Sequence, residues 1–228
     1  MRLAVDSGLD EFVSLGGKVD ELEIRDEKDG KYAVDFQYIL MNRWAMEGIR
    51  KVALPVVRPT LHDFASKFEF AAYMSTFMSV VHYDIREPDA GIPQVEFSRA
   101  DMTGLGLADS SLRLMSCLHV AEHIGLGRYG DRIDPGGFNK ACAELSRVLA
   151  DRGHLFFAVP VGRPRVVFNS HRVLSVKQVI DAFPELALEE FSGISSRGGY
   201  VKNAPLDSLD FDDYGCGLFH FFKETRNV

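Results

Sequence analysis

Two apolar segments and the helical pattern between them constrain the fold of this chain most. Leu112 to Cys117 (LRLMSC) and Leu155 to Val159 (LFFAV) lack polar alternation, which is typical of strands covered on both faces. Between them, apolar residues recur at helical spacing from Phe138 to Leu149, and Asp151-Arg152-Gly153 ends the helix. This order predicts a βαβ unit with parallel strands. Ligands of such sheets bind beyond the carboxyl ends of the strands.

Strand and helix signals alternate along most of the chain, which favours an α/β protein with a mainly parallel sheet. Further strands are predicted at Thr60 to Ser66, Ser79 to Asp84, Val95 to Asp101, Leu186 to Phe191 and Gly217 to Lys223. Helices are predicted at Val34 to Ile49, Phe68 to Phe77 and Ser175 to Phe183. We expect residues 32–228 to form one domain, preceded by an acidic, glycine-punctuated appendage at 1–31.

Composition limits the classes of partner. The net charge of −7 argues against a nucleic-acid partner, because binding phosphates needs a basic surface. The N-terminus meets acidic residues too early for a signal peptide, and no apolar run approaches the roughly 20 residues of a membrane span. The spacing of the three cysteines indicates neither a disulfide framework nor a metal site made of cysteines alone. We therefore expect a cytoplasmic protein with no membrane or nucleic-acid partner.

Two motifs follow the strand at Leu112 to Cys117. Gly125 to Gly130 matches G-x-G-x-x-G, but it does not leave a strand directly, so a loop over the crevice is favoured over a dinucleotide site. His119-Val120-Ala121-Glu122-His123 matches H-x-x-E-H, the signature of inverted zinc peptidases. The preceding strand leaves little room for a long active-site helix. A zinc hydrolase is therefore the third hypothesis, and no metal site is predicted.

A second polar cluster, Pro160 to Arg172, follows the LFFAV strand and reaches the same edge of the predicted sheet. Arginine and histidine side chains that converge there would suit an anionic or polyhydroxylated small molecule. The alternative is that these side chains only solvate a loop and cap the next helix. The candidate bases are His119, Glu122, His123 and His171, and the candidate substrate-binding residues are Arg128, Tyr129, Arg163, Asn169 and Arg172.

With these motifs in view, the chain resembles class I S-adenosylmethionine-dependent methyltransferases. LGLADSSLRLMSCLHVAEHI and AELSRVLADRGHLFFAVP are similar to segments of the ubiquinone/menaquinone group. SCLHVAEHIGLGRYGD, VPVGRPRVVFNSHRV and the terminal YGCGLF resemble an uncharacterised methyltransferase-like family of unknown function. The resemblance covers roughly Thr60 to Lys223. It implies a Rossmann-like methyltransferase fold with a mainly parallel seven-stranded sheet, an antiparallel C-terminal strand and helices on both faces.

The resemblance also implies a cofactor, S-adenosylmethionine. Asp84 would bind its ribose, Asp101 and Met102 would flank its adenine, and Cys117 to His119 would line its methionine end. The complete implied cofactor set is Asp63, Ala65, Ser66, Asp84, Ile85, Asp101, Met102 and Cys117. Where that group has Asp-x-Gly-x-Gly after the first strand, this chain has Asp63 to Lys67 (DFASK), without glycine.

Two functions of different class follow from these patterns. The first is methyl transfer from S-adenosylmethionine to a small polar acceptor, of which a saccharide is one candidate. The second is a catalytically degenerate methyltransferase-like domain that binds a ligand or serves as a scaffold. The glycine-free turn favours the second function, whereas the dense polar edge favours the first. Neither the acceptor nor the oligomeric state is readable from the sequence.

Overall fold

The computed structural model describes residues 35–54, 59–89 and 91–225, so the predicted appendage at 1–31 lies outside the described residues. The helices are α1 (Phe36–Ala53), α2 (Phe68–Met74), α3 (Gly137–Val148) and α4 (Val176–Asp181). The strands are β1 (Thr60–Phe64), β2 (Ser79–Asp84), β3 (Val95–Arg99), β4 (Leu112–Leu118), β5 (Leu149–Val161), β6 (Arg165–Val167), β7 (His171–Val173), β8 (Ala187–Ile194), β9 (Tyr200–Val201) and β10 (Gly215–Phe222).

Eight of these strands form one mixed sheet, in the order β3-β2-β1-β4-β5-β10-β8-β9. Strands β1 to β5 pair in parallel, whereas β10 runs antiparallel to both β5 and β8. The order reverses between β1 and β4, which neighbour each other although two strands separate them in the chain. In open α/β sheets this reversal opens a crevice at the carboxyl ends of the strands.

The mainly parallel α/β sheet with an antiparallel C-terminal strand is confirmed, but the strand count of seven is wrong. The sheet has eight strands because Tyr200–Val201 adds a short edge strand to β8. It lies in a connection rich in Gly, Ser and Asp, where two residues carry no readable periodicity. The strand predicted at Leu155 to Val159 is also longer, since β5 begins directly after α3 and continues to Val161.

Apolar side chains pack on both faces of the sheet. On one face α3 and α4 cover a core with Phe157 and Phe219 at its centre. On the other face α1 and α2 cover a second core that includes Trp44 and Phe156. A side chain at Gly48 of α1 would collide with the Phe156 ring, so this glycine permits the close approach of helix and strand. The helices on both faces leave the carboxyl edge of the sheet open.

The polar cluster after β5 forms a separate two-stranded hairpin of β6 and β7. Its tip is solvent-exposed, and the Phe168 side chain is 69% exposed. A bridge between Val161 and Leu174 joins the base of the hairpin to the main sheet. Among the described helices, none combines the length and apolar character needed to cross a bilayer.

Candidate functional site

A cavity of about 440 Å³ opens at the carboxyl ends of β1, β2 and β4. Acidic side chains form one wall, and histidines form much of the opposite wall. Its lining includes Tyr38, Ala65, Ser66, Lys67, Asp84, Ile85, Arg86, Asp101, Met102, His119, His123 and Tyr129. Six of the predicted cofactor residues therefore line one concave surface, with two of the predicted bases on its far side.

The turn after β1 has a glycine-like backbone without a glycine. Ala65 has a φ of 53°, in the left-handed region that favours glycine. Lys67, at the position of the family's second glycine, has φ −51° and ψ 131°, which any L-residue adopts. Only the first of the two replaced glycines therefore carries a conformational cost.

Asp63 lies beneath this turn and is fully buried. Its carboxylate accepts hydrogen bonds from the hydroxyls of Ser66 and Ser116, both at 2.6 Å, and contacts His82 Nδ1 at 2.8 Å. Ser66 Oγ in turn accepts from the backbone N–H of Leu118. The predicted cofactor residue Asp63 is thus placed inside the protein, where it joins β1, β2 and β4.

Asp84 ends β2 at the cavity wall and is already paired. The guanidinium of Arg86 donates to both carboxylate oxygens at 3.1 and 2.9 Å, and the Arg86 backbone N–H donates at 2.8 Å. The Tyr129 ring lies 4.3 Å from the Arg86 guanidinium on the cavity side. Each carboxylate oxygen can accept more than one hydrogen bond, so Asp84 keeps capacity for ligand hydroxyls.

Asp101 also lies at the wall, with its side chain close to its own turn. Its Oδ1 accepts from the backbone N–H and the hydroxyl of Thr103, each at 2.8 Å. Met102 is buried at the same wall, with 6% exposure, and Ile85 completes this side. Cys117 is fully buried within the sheet core, and burial raises the pKa of its thiol well above the usual range.

The H-x-x-E-H segment forms one turn of 3-10 helix, Ala121–His123, directly after β4. Glu122 is fully buried, and its Oε1 lies 2.8 Å from Nδ1 of His119 and 3.6 Å from Nε2 of His123. No described residue offers a hydrogen-bond partner to Glu122 Oε2. One buried carboxylate thus connects the two histidines of the cavity wall. Within the described ranges, no cluster of three or more His, Cys, Asp or Glu side chains is arranged to hold a metal ion.

The two histidines have different surroundings. Burial lowers the pKa of His119, but Cys216 and Glu122 outweigh it and raise the pKa to about 10. His119 is therefore a cation at neutral pH. Nδ1 of His123 lies 2.6 Å from the carbonyl oxygen of Ser170, and because a carbonyl only accepts, this nitrogen carries the proton. In neutral His123 the lone pair is then on Nε2.

The hairpin brings several predicted substrate residues near this wall. Arg128 donates to the carbonyl and hydroxyl of Ser170 at 3.2 and 2.9 Å. His171 contacts the Ser170 hydroxyl at 2.9 Å. Its pKa is lowered, chiefly by burial and next by His123. Asn169 is exposed in the loop between β6 and β7, and Arg163 is exposed just before β6, at the base of the hairpin.

Arg172, predicted to bind substrate, is placed in the interior with 7% exposure. Its guanidinium donates to the main-chain carbonyls of Glu122 and Ile124 at 3.2 and 2.6 Å, and it reaches Pro135 O at 3.5 Å. Burial lowers its pKa. Through these hydrogen bonds, Arg172 connects β7 of the hairpin to the segment that contains the histidines.

The G-x-G-x-x-G loop binds an anion of the protein itself. The backbone N–H groups of Gly125, Gly127 and Tyr129 donate to the Asp131 carboxylate at 2.7, 3.3 and 3.2 Å. Burial would raise the pKa of Asp131, but these three donors dominate and lower it. The amides that would bind a pyrophosphate in a dinucleotide fold therefore already donate to Asp131.

Several cavity residues were not predicted from the sequence, among them Tyr38, Lys67 and Arg86. Arg86 had a readable signal, since it stands two residues after Asp84, within reach of the same carboxylate. Lys67 stands where the resembled group has its second glycine, and nothing in the sequence indicated that its ammonium would line the cavity. Tyr38 carried no signal, because its place depends on how α1 crosses the sheet.

The comparisons with known proteins agree with this geometry. A family model described as "Caenorhabditis protein of unknown function, DUF268" matches residues 92–183. This span is less than half of the chain, and it includes the histidine segment and the hairpin. No curated protein matches the chain.

Solved structures share the architecture. A putative methyltransferase from Bacillus halodurans C-125 is 15% identical, with a TM-score of 0.56 over 79% of this chain and 99% of that chain. The chain has a methyltransferase-like fold. The N-methyltransferase NodS from Bradyrhizobium japonicum WM9, solved with S-adenosyl-L-homocysteine, is 14% identical, with a TM-score of 0.54 over 85% and 94%. The [4+2]-cyclase SpnF is 12% identical, with a TM-score of 0.61 over 93% and 91%. Since the last name denotes a cyclase, the shared fold does not by itself specify methyl transfer.

Proposed function

We propose that this protein transfers a methyl group from S-adenosylmethionine to a small polar acceptor, of which a saccharide is one candidate. The observation that carries the proposal is the cavity at the carboxyl edge. It joins Asp84, Asp101 and Met102 on one side to His119 and His123 on the other. The distribution suits a ligand that is polyhydroxylated at one end and brings a reacting atom to the histidines at the other.

The residues that line the cavity have the chemistry needed to bind S-adenosylmethionine. Asp84 would accept from the ribose hydroxyls, for which its oxygens retain lone pairs beside Arg86. Asp101, Met102 and Ile85 would flank the adenine, and the left-handed Ala65 opens the turn as a glycine would. When bound, S-adenosylmethionine supplies an electrophilic methyl group on a sulfonium.

His123 is our choice of general base. Its neutral form presents a lone pair on Nε2, and Glu122 lies 3.6 Å away to stabilise the imidazolium once a proton has been taken. During methyl transfer, Nε2 of His123 would take the proton of the acceptor oxygen or nitrogen. His119 is already a cation and has no lone pair to offer. His171 would hold Ser170 in place instead of taking the proton.

Acceptor binding is assigned to the residues that remain exposed near the hairpin. Arg128 and Tyr129 stand beside His123, and Tyr129 contacts the His123 ring edge-on at 5.5 Å. Asn169 in the hairpin loop and Arg163 at the base of the hairpin would extend this surface. Such side chains suit hydroxyl or anionic groups on a small acceptor.

A degenerate ligand-binding domain is the second candidate, and the Asp84–Arg86 pair favours it. Arg86 already bonds both oxygens of the carboxylate assigned to the ribose, so a ligand would have to share them with this guanidinium. In this alternative the cavity binds a nucleoside-like or other polar ligand without chemistry.

Calorimetric titration with S-adenosylhomocysteine tests the proposal. We expect micromolar binding by the unaltered protein and its loss in Asp84→Ala, with Asp181→Ala on the distant helix α4 as the matched control. His123→Gln should retain cofactor binding and lose methyl transfer. No heat at millimolar ligand would contradict the proposal and leave the second candidate.

A further inference from the structure

The cavity is electrically asymmetric, and Lys67 lies at its positive end. Asp84 and Asp101 stand at one wall, whereas Lys67 lies on the side of His119. Of the other lining cations, Arg86 is paired with Asp84, and His119 is paired with Glu122. Among the residues that the structure describes, the contact partner of Lys67 is the Tyr38 ring, with no carboxylate paired to its ammonium.

Tyr38 fixes where this ammonium lies. Lys67 Nζ stands 3.3 Å from the centroid of the Tyr38 ring, a cation–π contact. The same ring lies 5.4 Å from the His119 ring. An aromatic face attracts a cation without neutralising its charge. The Lys67 charge is therefore held beside the histidines and remains available to an anion.

On the orientation proposed above, the amino-acid end of the cofactor lies on this side. Adenine and ribose would occupy the wall of Asp101 and Asp84, so the opposite end of the ligand reaches His119 and Lys67. That end carries a carboxylate. An ammonium and a carboxylate within a partly enclosed cavity form a charge-assisted hydrogen bond, roughly twice as strong as a neutral one.

We propose that Lys67 binds the carboxylate of the cofactor and thereby replaces, with a side chain, contacts that a glycine-rich turn makes through its backbone. The backbone at Lys67 is extended and tolerates a side chain without strain. Lys67 is also exposed, so a ligand can reach its ammonium. The inference rests on the proposed function, because it takes the cofactor as the ligand.

A double-substitution cycle in protein and ligand tests this assignment. The protein pair is the unaltered chain and Lys67→Met, which keeps the length of the side chain and removes the charge. The ligand pair is S-adenosylhomocysteine and its decarboxylated form, which lacks only the carboxylate. Lys51→Met removes an exposed lysine of α1 that pairs with Glu47, and it serves as the matched control. Thermal unfolding of each variant verifies that it is folded.

We expect the unaltered protein to bind S-adenosylhomocysteine about tenfold more tightly than the decarboxylated ligand, as one such contact provides. In Lys67→Met the two ligands should bind within about twofold of each other, whereas Lys67→Arg should restore most of the difference. Equal affinity of the unaltered protein for both ligands, or an equal loss for both in Lys67→Met, would overturn the assignment alone. Binding of neither ligand by the unaltered protein would overturn the proposed function, and this inference with it.

Discussion

The two halves of the carboxyl edge treat their charged groups differently. After β1 and β2, the carboxylates are paired within the protein: Asp63 by two hydroxyls and His82, and Asp84 by Arg86. After β4, the buried Glu122 connects two histidines and leaves Oε2 without a described partner. In the first half, every carboxylate named has hydrogen-bond partners within the protein. In the second half, one oxygen of a buried carboxylate has none among the described residues.

This difference suggests that the first half of the edge contributes mainly to stability and the second half to proton transfer. The hydrogen bonds of Asp63 fix the shape of the turn that would receive the cofactor. They are already complete, so a bound ligand would add little to the stability of this turn. An incompletely paired carboxylate between two imidazoles instead makes protonation sensitive to its surroundings, which is typical of groups that move protons. We therefore expect substitutions in the first half to affect folding or affinity, and substitutions in the second half to affect pH dependence.

The largest expected effect comes from Asp63→Ala. It leaves three buried polar groups on Ser66, Ser116 and His82 without their acceptor, and we expect a loss of about 3 kcal/mol in the free energy of unfolding. Asp84→Ala is the comparison, because its partner Arg86 is half exposed and the loss should stay below about 1 kcal/mol. Urea denaturation measures both. Similar losses for the two variants would contradict the distinction between a structural and a ligand-facing carboxylate.

The second effect is a pH dependence that originates in His119. Its pKa in the folded protein is about 10, above the value of about 6.5 in an unfolded chain. The stabilisation is complete below the unfolded pKa and is lost as pH rises toward 10, with a limiting slope of about 1.4 kcal/mol per pH unit. Glu122→Gln should lower the pKa of His119 in the folded protein and thereby shorten the pH range over which stability falls.

Denaturation at pH values from 6 to about 10, in parallel on both proteins, isolates the contribution of His119. Groups elsewhere titrate equally in the two proteins and cancel in the difference. If stability falls over the same pH range in Glu122→Gln, Glu122 does not stabilise the charged form of His119.

A smaller effect is expected at Ala65. Because its φ is positive, Ala65→Gly should relieve strain and stabilise the fold by about 1 kcal/mol, less the entropy that glycine adds to the unfolded chain. Ala100→Gly, at a cavity residue without positive φ, should instead destabilise. Thermal unfolding distinguishes the two, and destabilisation by both would contradict the left-handed turn.

The smallest effect concerns Asp131→Asn, which weakens the acceptor for the amides of Gly125, Gly127 and Tyr129. We expect faster hydrogen exchange at these amides with global stability changed by less than about 1 kcal/mol, since Asp131 lies in a loop and is partly exposed to solvent. Exchange measured by NMR tests this. Unchanged protection would mean that the loop is held by other contacts.

Sequence patterns predicted the long elements because each buries a continuous apolar face. β2 has the predicted bounds, and α3 differs by a residue at each end. The strands β6, β7 and β9 were not predicted, because two or three residues are too few to show a period. Their pairing depends on neighbours distant in the chain.

The edge that carries the cavity was also predictable, whereas the partners of its residues were not. Strand ends placed Asp84, Asp101 and His119 at one edge because parallel strands end together. The contact of Asp63 with Ser116 joins residues 53 positions apart, and that of His119 with Gln37 joins residues 82 apart. Such pairs depend on strand order and helix crossing, for which no local signal exists.

The central place of β10 has a consequence for how the protein is made. It lies between β5 and β8, and its antiparallel pairing with both attaches β8 and β9 to the rest of the sheet. During translation, β1 to β5 can pair while synthesis continues, but β8 has no docking edge until residues through Phe222 have left the ribosome. The nascent chain therefore exposes the unpaired backbone N–H and C=O groups along the edge of β5 until β10 has been synthesised.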